Sequence, residues 1–261
     1  MQYFEWSASP VAFSWNFLSI HWYGIFFAMA ILFGFEVMNR IYKYENKAIQ
    51  ELELLQIYIV IGIVVGARLG HCLFYDPAYY LANPLKILAI NEGGLASHGG
   101  GFGASMAALY YARKKGIGYL YILDRLAIPT ALFAFFVRMG NFMNSEIIGI
   151  QTEVPWAIVF THVDLYPRHP AQLYEAFAYL SIFILLGFIY TLKNYRDKAG
   201  LLFGLFLSLV FSIRIVVEFV KVRQASYASE TFFSAGQMLS VPFLLFGLVL
   251  FVFAVTKKDR K

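Results

Sequence analysis

Along its length the chain alternates apolar runs of about 20 residues with short polar connections. A run of that length is what roughly 30 Å of hydrocarbon demands of an α-helix. Seven runs have this character, near 13–38, 54–75, 98–113, 120–141, 172–192, 201–220 and 236–256. The pattern predicts an all-α polytopic membrane protein with seven transmembrane helices. No repeat, low-complexity tract or soluble domain interrupts it, so residues 1–261 read as a single integral-membrane domain. The longest connection, about 142–171, holds Pro155, Pro167 and Pro170 around the apolar VPWAIVF, which predicts a small folded cap on the membrane surface. A second connection, 76–97, carries Tyr79 and Tyr80 and a short apolar stretch suited to an interface.

Composition agrees with this picture: 60% of the residues are apolar and 14% are charged. No Lys or Arg precedes Arg40, and the first apolar run is too long for a signal-peptide core, so that run is expected to stay in place as a span. The lone cysteine, Cys72, lies in an apolar run and excludes an internal disulfide or a cysteine-based metal cluster. A net charge of +5 raises nucleic acid as a partner, but topology accounts for it instead. Thirteen basic residues (Arg40, Lys43, Lys47, Arg113, Lys114, Lys115, Lys193, Arg196, Lys198, Lys257, Lys258, Arg260 and Lys261) fall on one side, and four (Lys86, Arg168, Lys221 and Arg223) on the other. The positive-inside bias then places the N-terminus outside and the C-terminus in the cytoplasm.

Four arginines remain, all within expected spans: Arg68, Arg125, Arg138 and Arg214. Arg125 lies beside Asp124 near the inner end of its span, where it is expected to snorkel. Counting 1.5 Å per residue puts Arg138 about 20 Å beyond Asp124 and Arg214 at a similar depth. Arg68 comes near the outer end of its span, and HWYG (21–24) and SHGG (97–100) begin theirs from outside. An unpaired arginine in lipid costs at least about 2.5 kcal/mol. Three at one depth imply an anion to meet them. Glu218 is expected to pair with Arg214 at i+4, whereas Arg138 has Asn141 at i+3 and no acid within a turn.

Glycines crowd the same region. Gly99 and Gly103 have the spacing of close helix packing, and the cluster would equally leave backbone N–H groups open to an anion. His98 is the best general-base candidate by its ordinary pKa of about 6.5, or else a satisfied core histidine. The histidines show no HExxH spacing and the aspartates no DxD or DxxD pair, so no metal or cofactor is expected.

HWYG (21–24), ARLGHCLFY (67–75), GGLASHGG (93–100), RMGNFMNSEIIG (138–149), PRHPAQLYE (167–175), RIVVEF (214–219) and GQMLSVP (236–242) together resemble the prolipoprotein diacylglyceryl transferase family in order and spacing. The resemblance implies a seven-helix enzyme of the bacterial cytoplasmic (inner) membrane with its active site toward the outer leaflet. It implies transfer of the diacylglyceryl group of phosphatidylglycerol to the lipobox cysteine thiol of a prolipoprotein, with release of glycerol 1-phosphate, as the first step of lipoprotein maturation. Its expected partners are thus phosphatidylglycerol, the prolipoprotein signal peptide and membrane lipids, with no nucleic acid. Position by position it makes His98, Arg214 and Tyr23 catalytic candidates. Arg138 becomes the phosphatidylglycerol-binding arginine, joined by Asn141, Arg68, Glu146, Gly149, Glu218 and His21. Three positions depart from the family's habit: Lys221 where an arginine is common, Val210 where a tyrosine often stands, and Ser97 where an aromatic often precedes the histidine.

Other classes fit less well. A retinal-type sensor needs a lysine in the last span, and 236–256 has none. A transporter usually shows repeats or helices interrupted at mid-membrane, and a scaffold has no need of the three arginines.

Overall fold

A computed structural model describes residues 3–16, 18–89, 93–222 and 234–257. Of the charges used to orient the chain, Arg223, Lys258, Arg260 and Lys261 lie outside those residues. The described helices are α1 (Trp22–Tyr44), α2 (Ile49–Phe74), α3 (Pro77–Ala82), α4 (Ser97–Lys115), α5 (Tyr119–Met143), α6 (Ala171–Thr191), α7 (Lys193–Arg196), α8 (Leu201–Glu218) and α9 (Ala235–Thr256). The strands are β1 (Phe4–Trp6), β2 (Val11–Trp15), β3 (Leu18–His21), β4 (Ile158–Phe160) and β5 (Pro167–Arg168).

Six of these helices, α1, α2, α5, α6, α8 and α9, are long and apolar enough to cross a membrane by length and composition. Their 18 to 26 residues correspond to roughly 27–39 Å of helix. Large apolar side chains such as Leu32, Ile61, Phe188 and Val249 stand exposed on them, as hydrocarbon permits and water does not. The run expected at 98–113 is helical as α4 but is not among the six. Four glycines, His98 and the terminal Arg113, Lys114 and Lys115 make it less apolar than the rest.

The first run is corrected. Residues 13–16 and 18–21 are not helical, because β2 and β3 form an antiparallel hairpin with Asn16 at its turn at φ 53°, a left-handed conformation asparagine tolerates. The Trp22 N–H donates to Pro10 O at 2.9 Å, and α1 starts there and runs on to Tyr44. The helix therefore covers 22–44 rather than 13–38.

The chain divides into two compact units, 1–38 with 124–261, and 39–123. In the first, Ala30, Leu132 and Phe136 are buried together with Phe26, Met29, Phe133, Leu180 and Phe183, joining α1, α5 and α6. Asp124 is fully buried in α5, and its carboxylate accepts from the Gly200 N–H at 2.7 Å and the Phe203 N–H at 2.9 Å. That caps α8, whose first N–H groups have no partner inside the helix. Arg125, expected to snorkel, is instead 5% exposed, donating to Arg196 O at 3.4 Å with its guanidinium 5.9 Å from the Tyr190 ring centre. Backbone carbonyl and aromatic ring meet the charge inside the protein, so it need not reach for the interface.

The connection at 142–171 carries a small sheet in the order β1-β4-β5, β1 parallel and β5 antiparallel to β4. Strand β4 is buried along its length, and Phe160, Ile158 and Phe142 pack with Trp6, whose ring centre is 4.4 Å from that of Phe142. Backbone bonds from Gly149 to His169 O, Ile150 to Val220 O and Val222 to Ile148 O, at 2.8–3.2 Å, tie the segment after α5 to those before α6 and after α8.

In the second unit α2 and α4 meet backbone to backbone. A Cβ on Gly66 would lie 2.4 Å from Gly99 O, one on Gly99 2.3 Å from Gly66 O, and one on Gly103 2.0 Å from Gly62 O. Gly99 and Gly103 thus act as packing glycines, and their partners Gly62, Gly66 and Gly70 repeat the four-residue spacing on α2.

Candidate functional site

The last turns of α5 place Arg138 and Asn141 on one face, and Nη1 of Arg138 donates to Asn141 Oδ1 at 3.0 Å. Asn141 Nδ2 in turn donates to Glu146 Oε2 at 3.2 Å, and Asn144 Nδ2 to Glu146 Oε1 at 3.3 Å. Glu146 itself is exposed. The chain reverses here through two left-handed residues, Ser145 at φ 54° and Ile147 at φ 56°. For a β-branched residue such as Ile147 that conformation is strained, by an amount on the order of 1–3 kcal/mol. The surroundings hold the turn in place, as Gln172 Nε2 donates to Glu146 O at 2.6 Å.

An acid does face Arg138, and it comes from another helix. Glu175 in α6 is fully buried, with its Oε2 2.7 Å from Arg138 Nε, an ion pair whose N–H direction is not that of an aligned hydrogen bond. Its Oε1 accepts from Lys221 Nζ at 2.7 Å, and Tyr179 OH lies 3.4 Å from the same oxygen. Sequence reasoning misses Glu175, although a carboxylate five residues into an apolar span is costly enough to signal a partner. Lys221 is 8% exposed; burial pushes its ammonium below the usual lysine range, against the opposing pull of Glu175.

The expected pair of Glu218 with Arg214 is not formed. Glu218, the last residue of α8, turns its Oε2 to within 3.6 Å of Lys221 Nζ, while its Oε1 accepts from Ser234 Oγ at 2.8 Å. Ser234 also caps α9 reciprocally with Gln237, so Glu218 is held by the start of the next helix. Among the described residues Arg214 makes neither a hydrogen bond nor an ion pair, and it is half-buried. Arg138 and Arg214 both act electrostatically on the Tyr179 hydroxyl, which puts the two guanidiniums in one neighbourhood. A cavity of about 330 Å³ is lined by Ile150, Glu218, Phe219, Lys221, Val222, Ser234 and Gln237, so it opens on the Glu218–Lys221 side of the network.

Tyr23, in the first turn of α1, packs on Gly140. A Cβ there would come 2.9 Å from Tyr23 Cδ2, so the glycine seats the ring two residues from Arg138. Gly149 is equally constrained: a Cβ would lie 2.5 Å from His169 O and 2.7 Å from Val220 O. His21 ends β3, paired with Val11 and exposed. Of the expected site residues in the first unit, Arg138, Asn141 and Glu146 form one connected network, Glu218 joins it through Lys221 and Glu175, and Tyr23 adjoins it.

The remaining two lie in the second unit. His98 is exposed in the first turn of α4. Arg68 is 3% exposed and donates to four carbonyls: Ile87 O at 2.8 Å, Gly93 O at 2.5 Å, Gly94 O at 3.2 Å and Lys86 O at 2.5 Å. Its guanidinium also lies 5.1 Å from the Tyr80 ring centre. Carbonyl dipoles satisfy it, so no anion is needed to explain its burial. Of the three arginines expected to call for an anion at one depth, Arg68 and Arg138 are met by protein groups, and Arg214 is left without a hydrogen bond or ion pair among the described residues.

Comparison with known proteins gives one consistent result. Residues 10–253 match the family model described as prolipoprotein diacylglyceryl transferase. A phosphatidylglycerol–prolipoprotein diacylglyceryl transferase of Tolumonas auensis is 48% identical over 98% of this chain and 99% of its own. Proteins of the same name from Chloroherpeton thalassium and Bacteroides fragilis are 45% and 42% identical, covering 99% and 98% of this chain and 96% and 97% of theirs. The match takes in every block of the arginine, asparagine and glutamate network, and the chain belongs to the prolipoprotein diacylglyceryl transferase family.

Proposed function

We propose that the chain moves the diacylglyceryl group of phosphatidylglycerol onto the lipobox cysteine thiol of a prolipoprotein, forming a thioether and releasing glycerol 1-phosphate. Membership of the family supports this transferase activity in lipoprotein maturation. The observation that carries the assignment of the site is Arg214, half-buried and without an ion pair among the described residues, in the same neighbourhood as Arg138. A guanidinium in that position asks for an anion, and the phosphate of the lipid is one. Seven spans including α4, an outside N-terminus, a bacterial cytoplasmic-membrane location and an outward-facing site complete the reading, supported by the distribution of basic residues.

The chemistry follows from charge. Thiolate attack at the glycerol carbon breaks its C–O bond to phosphate, and the departing phosphate monoester gains negative charge. Arg138 and Arg214 supply donors in the fork geometry that suits phosphate, and their bonds strengthen as that charge develops. Tyr23 and Asn141 orient the head group. The thiol, with an ordinary pKa of about 8.5, needs its proton removed; His98 is the residue proposed for that step. Arg68 is assigned instead to holding the backbone of Lys86, Ile87, Gly93 and Gly94.

The test is mass-shift transfer from phosphatidylglycerol to a lipobox peptide by the purified protein, which the wild type should perform. Arg138→Lys keeps the charge but loses the fork, and should cut kcat/KM on the order of 10²-fold; unchanged turnover refutes phosphate recognition by that side chain. Wild-type transfer by His98→Gln removes histidine from the proton step.

A further inference from the structure

The two oxygens of Glu175 are divided between two cations, Oε2 facing Arg138 and Oε1 holding Lys221, each at 2.7 Å. The carboxylate is fully buried, while the side chains of Arg138 and Lys221 are 12% and 7% exposed. A static clamp on Arg138 needs only one of these contacts. A second cation on the same carboxylate matters when the first one leaves. Were Arg138 to turn its fork to a phosphate with no Lys221 present, a buried carboxylate would be stranded without a partner, a state proteins avoid. Lys221 also has Glu218 at 3.6 Å, and Glu218 is anchored by Ser234, so the lysine is held at this post from both sides.

We propose that Glu175 and Lys221 form a counterion exchange for Arg138. Glu175 parks and orients the guanidinium in the empty site, and Lys221 keeps Glu175 neutralised when Arg138 moves to the substrate phosphate. Both are positioning residues, since neither needs to touch the lipid. Here the lysine stands where the family commonly has arginine, and a single ammonium suffices because only one carboxylate oxygen has to be held. The identity of the anion as phosphatidylglycerol rests on the function proposed above; the exchange itself rests on the buried triad.

The exchange is read by splitting KM from kcat for phosphatidylglycerol. Lys221→Met ties Arg138 to Glu175 and raises KM on the order of 10- to 100-fold, the scale of one hydrogen bond to a charged group, with a smaller change in kcat. Lys221→Arg restores KM, and so does Glu175→Gln in the Lys221→Met background, because a neutral amide releases Arg138. A wild-type KM in Lys221→Met, or no recovery in the double variant, overturns the proposal. Should Lys221→Met not be recovered folded, the double variant alone decides: a wild-type KM supports exchange, and a KM raised 10-fold or more refutes it.

A turnover-free arm separates this from the proposed function. The thermal shift produced by phosphatidylglycerol over phosphatidylcholine nanodiscs should be lost in Lys221→Met and regained in the double variant, even if the wild type fails to transfer lipid; equal shifts in all variants refute exchange. Inorganic phosphate added to phosphatidylcholine nanodiscs should give no shift, and a shift there overturns the lipid head group as the anion.

Discussion

The glycine seam between α2 and α4 makes a prediction whose sign reverses within two residues. A Cβ placed on Gly99 would sit 2.3 Å from Gly66 O and 2.9 Å from Gly70 Cα. A methyl carbon needs about 3.4 Å from such atoms, so the helices must separate locally by about 1 Å. A gap of that size forfeits a quarter to a half of each dispersion contact across the seam, and overpacking of this kind costs roughly 1–3 kcal/mol. Gly101, one face away on α4, has nothing within 4 Å of its Cβ position and no left-handed φ. There alanine removes backbone freedom from the unfolded chain and should add roughly 0.5–1 kcal/mol. In detergent, thermal unfolding should place Gly99→Ala roughly 3–10 °C below wild type and Gly101→Ala at or slightly above it. Equal melting temperatures for the two variants would refute the backbone contact between α2 and α4.

Two further outcomes follow from the same reasoning. Asp124→Ala should lower stability by about 2–4 kcal/mol, because two N–H groups at the start of α8 lose their buried acceptor, and Asp124→Asn should lower it less; thermal unfolding checks both. Burial lowers the pKa of His169 from 6.5, so the folded state binds its proton less well than the unfolded state. Its contribution is therefore neutral at high pH and turns destabilising as pH falls through about 6.5 toward the lower folded value. His169→Gln should flatten the melting temperature between pH 7 and 5 relative to wild type; an identical slope would remove His169 as the cause.

The sequence by itself determined the helices, because 18 to 26 apolar residues can satisfy their backbone in lipid only by coiling. It also placed Asn141 on the face of Arg138, since i+3 neighbours share a helix face whatever surrounds them, and it gave Gly99 and Gly103 the spacing of close packing, a role that the contact with α2 then decided. The start of α1 was hidden: the residues of Val11–Trp15 and Leu18–His21 serve a hairpin as readily as a helix, and strand pairing decided between them. Only the tertiary structure assigned the charges. Arg138 meets Glu175 from α6, Glu218 turns from Arg214 to Lys221 and Ser234, and Arg68 gathers the carbonyls of Lys86, Ile87, Gly93 and Gly94. Periodicity says which face of a helix a residue occupies, but the partner across that face depends on how neighbouring helices rotate and where their ends cross. Those choices are made by packing many residues at once, so the ion pairs that shape this site are tertiary facts.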